Sequence, residues 1–240
     1  MYDLAIIGAG WAGITAAKQA LKDGLRVVLI EKDAVGGTCL NRGCIPTKAF
    51  IQSGKIFSHV KKTEVFGVSV SDARVSFAAI QQRKEKIVSQ LRQGIAYTLR
   101  GVDVISGVAR FDTQGHLFVG ETPLETKKVL ICCGSHPYAL PGFEFDGTTV
   151  LSSDDVLNLK ELPVSMLIIG GGVIGCEFAA FFSALGVTIT VLEKMTQLVP
   201  GLDHELARKL ETVFKKKGIS VLTNTDAGSV DMRSFEKVLV

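Results

Sequence analysis

Leu4-Ala5-Ile6-Ile7-Gly8-Ala9-Gly10-Trp11-Ala12-Gly13 opens the chain with four apolar residues running into three glycines spaced as GxGxxG. An apolar run bounded by glycine reads as a buried strand, and the small-residue stretch after it reads as a helix. The first glycine permits a tight strand-to-helix turn, and the second lets backbone approach a pyrophosphate. The third lets helix and strand pack closely, so phosphates meet the helix N-terminus. After Gly24 comes a second apolar strand, Val27 to Ile30, which closes on Glu31, an acid suited to accept hydrogen bonds from ribose hydroxyls.

The same pattern returns 162 residues later. Leu167 to Ile169 leads into Gly170-Gly171-Gly172-Val173-Ile174-Gly175, a helix, Gly186, the strand Ile189 to Leu192, and Glu193. Gly8, Gly10, Gly13, Ala17, Gly24, Glu31 and Lys32 match Gly170, Gly172, Gly175, Ala179, Gly186, Glu193 and Lys194. In both copies the acid lies 18 residues beyond the third glycine, from 13 to 31 and from 175 to 193. Two βαβ units of one type, each able to hold a dinucleotide, are therefore expected.

Between them lies material that a single unit does not need. Ile80, Ile87, Leu91, Ile95 and Leu99 recur among Gln, Arg and Lys, which predicts an amphipathic helix over 77–99. The alternation from Val102 to Val119, broken by Gly107 and Gly115, predicts a small antiparallel meander. Val129 to Cys133 reads as a buried strand leaving into Gly134-Ser135-His136-Pro137. The Pro141-Gly142 turn and the polar stretch Ser152 to Leu162 read as the passage to a second domain.

Composition narrows the classes. Of 240 residues, 47% are hydrophobic and 21% charged, the balance of a soluble chain with a real core. The net charge is only +3, and Lys215-Lys216-Lys217 is the longest basic run, which argues against nucleic-acid binding. No segment reaches the roughly 18 uninterrupted apolar residues that span a bilayer. Asp3 and the first glycines interrupt any signal peptide, so a cytoplasmic location is expected, with an organelle as the other possibility. Five cysteines in that setting do not form a structural disulfide framework.

The segment Gly36-Gly37-Thr38-Cys39-Leu40-Asn41-Arg42-Gly43-Cys44-Ile45-Pro46-Thr47-Lys48 concentrates the chemistry. Cysteines five positions apart can close a small disulfide ring that cross-links nothing distant, which suits reversible exchange. Two unpaired core thiols would fit the spacing as well. A metal site is disfavoured, because no second Cys/His pair at ligand spacing accompanies them.

This segment resembles the active-site signature of the pyridine nucleotide-disulfide oxidoreductases, most closely their dihydrolipoamide dehydrogenase branch. The resemblance runs essentially the length of the chain. It implies FAD held by Gly8, Gly10, Gly13, Glu31, Gly37, Thr38 and Gly134, and NAD held by Gly170, Gly172, Gly175 and Glu193. It implies that Cys39 exchanges with the substrate disulfide while Cys44 lies against the flavin. Lys48, one helical turn beyond Cys44, would stand near the flavin N5 as a buried cation paired with Glu177. Glu193 would repel the 2′-phosphate of NADP, with Lys194 as a partial offset. Cys132, Cys133 and Cys176 read as buried core thiols. His59, His116, His136 and His204 read as surface or locally hydrogen-bonded residues.

The fold class expected is α/β: two Rossmann-like dinucleotide-binding domains with a small antiparallel meander. Residues 1–147 would form the FAD-binding domain with the redox-active disulfide, and 148–240 an incomplete NAD-binding domain. Relatives continue with a C-terminal interface domain that carries a His-Glu acid-base pair across a homodimer, and nothing in these 240 residues matches it. The chain is thus expected to be an N-terminal fragment that cannot complete turnover alone. The implied partners are a lipoamide-type dithiol and a 2-oxo acid dehydrogenase complex. The alternatives are another disulfide or mercuric reductase of the family, or a catalytically silent redox-sensing module.

Overall fold

Ala5 and Ile6 in the first apolar run, and Val28 and Leu29 in the second, have no exposed surface. Strands of that kind are covered on both faces, which parallel sheets achieve with crossover helices. The computed structural model, which describes residues 1–229 and 231–240, contains two such sheets. The chain divides into two compact units, Met1–Pro46 with Glu85–His136 and Thr47–Lys84 with Pro137–Val240.

In the first unit, β1 (Tyr2–Ile7), α1 (Trp11–Lys22) and β2 (Val27–Glu31) form the leading βαβ element. They are followed by α2 (Gly37–Arg42) and the start of α3 (Cys44–Val60). The chain re-enters along α4 (Phe77–Thr98), then β3 (Asp103–Ser106), β4 (Ala109–Phe111), β5 (Leu117–Val119), β6 (Thr122–Pro123) and β7 (Thr126–Ile131). The parallel sheet has the order β3-β2-β1-β7, with Ile6 opposite both Leu29 and Leu130. Side chains alternate across it. Ile6, Val27 and Leu29 pack with Ile14 and Ala17 of α1 and with Ile95 and Leu99 of α4. Ala5, Val28 and Ile30 pack on the other face with Leu117 of the antiparallel β4-β5-β6 meander. Each fully buried Ile or Leu contributes about 1.5–3 kcal/mol through removal from water.

Two expectations need correction here. The expected meander over 102–119 divides, because its first strand, β3, joins the parallel sheet beside β2. The expected buried strand 129–133 is instead Thr126–Ile131, and Ile131 is 63% exposed. It lies at the end of the sheet order with β1 as its neighbour, so its outer side faces solvent.

The second unit takes up most of α3 and the first turns of α4, then β8 (Val150–Leu151) and α5 (Ser153–Val156). Next come β9 (Ser165–Ile169), α6 (Val173–Ala184), β10 (Thr188–Leu192), α7 (His204–Lys216), β11 (Ser220–Leu222) and β12 (Lys237–Leu239). Its sheet is parallel, in the order β11-β10-β9-β12-β8. One face, with Met166, Ile168, Ile189 and Val191, packs against Phe178 and Phe182 of α6 and Phe214 of α7. Phe50 of α3 stacks on Phe181, ring centroids 4.7 Å apart. The opposite face, with Leu167, Leu192 and Val238, is covered by Met232 and Phe235 from the β11-to-β12 connection.

The polar stretch from Ser152 carries more order than a passage between domains requires. Ser152 caps α5, its Oγ accepting from the Asp155 amide at 3.2 Å while its own amide donates to Asp155 at 2.8 Å. Val156 and Leu157 then enter the core. Among the described residues, no helix is long and apolar enough to cross a membrane.

Candidate active site

The first glycine loop turns at Gly8, whose φ of +103° belongs to the left-handed region that glycine tolerates. Gly13 has no room for a side chain, since a Cβ there would lie 1.9 Å from the Gly8 carbonyl oxygen. Helix α1 starts against strand β1 with Gly10 as its N-cap, no capping side chain and no acid in its first turn. Its leading amides, which an isolated helix leaves without partners, therefore face no competing carboxylate. Glu31 accepts from the Ala9 amide at 2.7 Å and from the Asp33 amide at 2.9 Å. A carboxylate has about four lone-pair sites, so capacity remains for ribose hydroxyls. These features fit a dinucleotide: an amide-lined turn, a helix start at Gly10 without a capping side chain, and an acid fixed at the loop's edge.

The second copy repeats the same features. Gly170 has φ +108°, and a Cβ at Gly175 would meet the Gly170 oxygen at 2.1 Å. Gly172 caps α6 without a capping side chain, and a Cβ there would meet open space. Glu193 accepts from the Gly171 amide at 2.8 Å and from the Met195 amide at 2.7 Å. By contrast α7 carries a side-chain cap, with Asp203 accepting from the Glu205 and Leu206 amides. The two helices that open glycine loops are thus capped differently from α5 and α7. This loop too fits the phosphates of a dinucleotide.

The cysteine segment is fastened to the first loop. The Gly36 amide donates to the Ala9 carbonyl at 2.8 Å, and a Cβ on Gly37 would come 2.6 Å from Gly10 Cα. Cys39 then lies in α2, half-buried, and Cys44 is the first residue of the 17-residue α3, exposed. Gly43 folds back between them, since a Cβ there would lie 3.0 Å from the Thr38 oxygen and 3.3 Å from Cys39 Cα. Cys44 therefore stands at the N-terminus of a long helix. Thr38 is exposed in α2, and Gly134, at φ +68°, follows the Cys132 carbonyl that abuts Gly8.

In the second unit, Lys48 Nζ donates to both carboxylate oxygens of Glu177, at 2.8 and 2.9 Å. The pairing expected from the resemblance is present, but the burial is not. The Lys48 side chain is 58% exposed. Lys48 precedes the fully buried Phe50 by two positions, which places it across the helix from the core.

The remaining cysteines and histidines separate. Cys176 is buried, donates to the Gly171 carbonyl at 3.3 Å, and has its thiol pushed up to about 11, first by burial and then by Glu193 and Glu177. It stays a neutral thiol near pH 7. Cys132 and Cys133 lie beyond the end of β7, half-buried and exposed, so the core reading fails for Cys133. The edge position of β7 explains this. All four histidines are exposed, with His116 bonded to Asp112 and His204 to Gln197. Among the described residues no cluster of three or more His, Cys, Asp or Glu could hold a metal.

Sequence reasoning missed Asn41, Arg92 and Asp226. Asn41 ties the cysteine segment together, Arg92 holds Asn41, and Asp226 pairs with Lys194 at 3.4 Å. Only Asn41 carried a signal, its place between the two cysteines.

A family model described as pyridine nucleotide-disulphide oxidoreductase matches residues 2–238. A dihydrolipoyl dehydrogenase of Bacillus subtilis (strain 168) is 40% identical over 236 residues, 95% of this chain and 52% of the relative. One from Acholeplasma laidlawii is 39% identical over 237 residues, 96% of this chain and 70% of the relative. The solved structure of the HOCl-induced flavoprotein disulfide reductase RclA from Escherichia coli superposes with a TM-score of 0.79 at 33% identity. It matches 94% of this chain and 49% of its own. The chain spans about half the length of most of these relatives. The family's cofactors are FAD and NAD(H). Because one family model runs through both glycine loops and the cysteine segment between them, this chain belongs to the pyridine nucleotide-disulphide oxidoreductase family.

Proposed function

We propose that the chain carries the two nucleotide sites and the redox pair of an NAD-dependent dihydrolipoamide dehydrogenase. In this reading residues 1–147 bind FAD through Gly8, Gly10, Gly13, Glu31, Gly37, Thr38 and Gly134. Residues 148–240 bind NAD through Gly170, Gly172, Gly175 and Glu193. The observation that carries it is the docking of the cysteine segment on the first glycine loop, through Gly36 on Ala9 and Gly37 on Gly10.

The chemistry assigned to the chain's own residues is thiol–disulfide exchange. A substrate thiolate attacks the Cys39 sulfur, and the Cys39–Cys44 bond breaks with Cys44 leaving as thiolate. The second substrate thiol attacks the sulfur that joins the substrate to Cys39, releasing cyclic disulfide and leaving the electron pair on the two cysteines. The α3 N-terminus stabilises Cys44 as the leaving thiolate. Lys48, held by Glu177, supplies a fixed positive charge from the same helix. Bound FAD supplies the hydride chemistry that links this dithiol to the nicotinamide. No exposed histidine is assigned the substrate proton, so turnover by these 240 residues alone is expected to be slow.

NAD is favoured over NADP because Glu193 already commits a carboxylate to the ribose edge of the loop. Lys194, the cation next to Glu193 that would offset its repulsion, is ion-paired with Asp226. A homodimer, membership of a 2-oxo acid dehydrogenase complex and a cytoplasmic location complete the proposal.

A second reading is another disulfide reductase of the family, favoured by the likeness to RclA, whose solved forms include a Cu(II) complex. The deciding experiment loads the protein with FAD and offers NADH with lipoamide, glutathione disulfide, coenzyme A disulfide or mercuric ion. The proposal expects lipoamide to be reduced fastest. Preference for any other acceptor assigns the second reading, and failure to bind FAD rejects both in favour of a silent module.

A further inference from the structure

We propose that Asn41 and Arg92 are positioning residues that hold Cys39 and Cys44 within bonding range while both are reduced. The inference rests on the reading of these cysteines as the redox pair. Asn41 lies between them in α2, and its amide nitrogen donates to the carbonyls of Ala34 at 3.1 Å, Val35 at 3.1 Å and Gly37 at 3.0 Å. Its oxygen accepts from Arg92 Nε of α4 at 2.5 Å. One amide therefore joins the approach to α2, its first turn and a long helix. The bond from a guanidinium is of the stronger, charge-assisted kind.

The need for such an anchor follows from the size of α2. A six-residue helix is far below the length that holds itself together in water. A disulfide, in turn, requires its Cα atoms about 4.4–6.8 Å apart, with the Cβ atoms facing. Gly43 already brings the chain back onto Cys39, where a Cβ would lie 3.3 Å from Cys39 Cα. That return is useful only while α2 keeps its place. With Asn41 anchored, Cys39 stays put in the dithiol form, and ring closure does not have to gather a frayed segment. Without it the same ring can form, but from a wider ensemble.

The test is the equilibrium of the pair with glutathione in the whole chain. Cys39 and Cys44 thiols plus glutathione disulfide give the Cys39–Cys44 disulfide plus two glutathione thiols. One sulfur–sulfur bond breaks, one forms, and two electrons and two protons pass to glutathione. Acid quenching, alkylation and peptide mass mapping report this pair separately from Cys132, Cys133 and Cys176. Asn41→Ala is expected to lower the equilibrium constant about ten-fold and Arg92→Gln about three-fold, the scale of one or two lost hydrogen bonds. Asn41→Asp keeps the shape and the Arg92 bond but loses the donors, and should fall between the parent and Asn41→Ala, about three-fold below the parent. Val102→Ala, in the same core, should lower the melting temperature and leave the constant unchanged, which separates positioning from general stability.

Variants within two-fold of the parent would overturn the inference, provided the parent forms the disulfide. A parent that forms none would overturn the redox reading itself. If Asn41→Ala does not fold, Arg92→Gln decides alone.

Discussion

The two units solve the same problem twice and then part company at one place. Strands β3, β2, β1 and β7 stand in the order that β11, β10, β9 and β12 repeat. Glu31 and Glu193 each hold an amide of their own glycine loop and an amide two residues downstream. Even the return of the chain is shared, with the Gly36 amide on the Ala9 carbonyl and the Val199 amide on the Gly171 carbonyl. Both returning residues sit at positive φ, +105° for Gly36 and +43° for Val199, where a β-branched residue is strained. Beyond that point the first copy runs into Gly37 and the cysteines, while the second proceeds to Asp203 and α7. The glycine-loop scaffold is common property, and the cysteine segment, with the sulfur chemistry proposed for it, is an addition to one copy.

Breaking that addition should have the largest effect. Cys39→Ser or Cys44→Ser is expected to abolish the slow lipoamide-dependent oxidation of NADH by the FAD-loaded protein, since a serine hydroxyl cannot exchange with disulfides. Binding of either nucleotide should be unchanged, which equilibrium titration would check.

The next test uses the shared part. Gly13→Ala drives a methyl into the Gly8 carbonyl and Gly175→Ala drives one into the Gly170 carbonyl, so each should ruin its own loop. Overpacking of this kind costs about 1–3 kcal/mol. Gly13→Ala should weaken FAD about ten- to a hundred-fold and spare NADH, with the reverse for Gly175→Ala. If either substitution weakens both nucleotides equally, the two loops are not separate sites.

A smaller effect distinguishes the ion pair from the cores. Glu177→Gln leaves Lys48 with a weaker partner, yet an exposed pair contributes only about 0–1 kcal/mol to stability. Its denaturation midpoint should barely move while reduction of bound flavin slows. Phe181→Ala provides the contrast, with a loss of about 3–5 kcal/mol from the stacked core. A large stability loss in Glu177→Gln would assign the pair a structural role.

The smallest effect concerns Cys176 and alkaline pH. Its thiol titrates at about 11 in the folded chain against 9.0 as the ordinary value, so over that interval the folded state keeps a proton that the unfolded state loses. Stability should therefore fall as pH rises from 9.0 to about 11, and Cys176→Ala should flatten that decline. An unchanged slope in chemical denaturation across this range would contradict the assignment.

The sequence displayed the repeat because its residues are dictated by backbone geometry. Gly13 and Gly175 have no alternative, and strands buried on both faces must be apolar throughout. The cysteine pair was legible through spacing and resemblance. Asn41, Arg92 and Asp226 were not, because polar contacts between distant segments follow from how the chain returns and leave no period to read. The exposure of Cys133 and Lys48 escaped for a related reason. Whether a strand end or a helix face meets solvent depends on neighbours, here the edge position of β7 and the turn of α3 that buries Phe50.

The most direct test of a shared scaffold with one chemical addition is an anaerobic titration of the FAD-loaded protein with NADH, followed by mass mapping of alkylated thiols. The account predicts that Cys39 and Cys44 become alkylated together as NADH is added, that Gly175→Ala moves this to about ten- to a hundred-fold higher NADH, and that Cys176 stays unlabelled. Labelling of Cys39 and Cys44 that is independent of NADH, or that follows the same NADH dependence in Gly175→Ala, would contradict it.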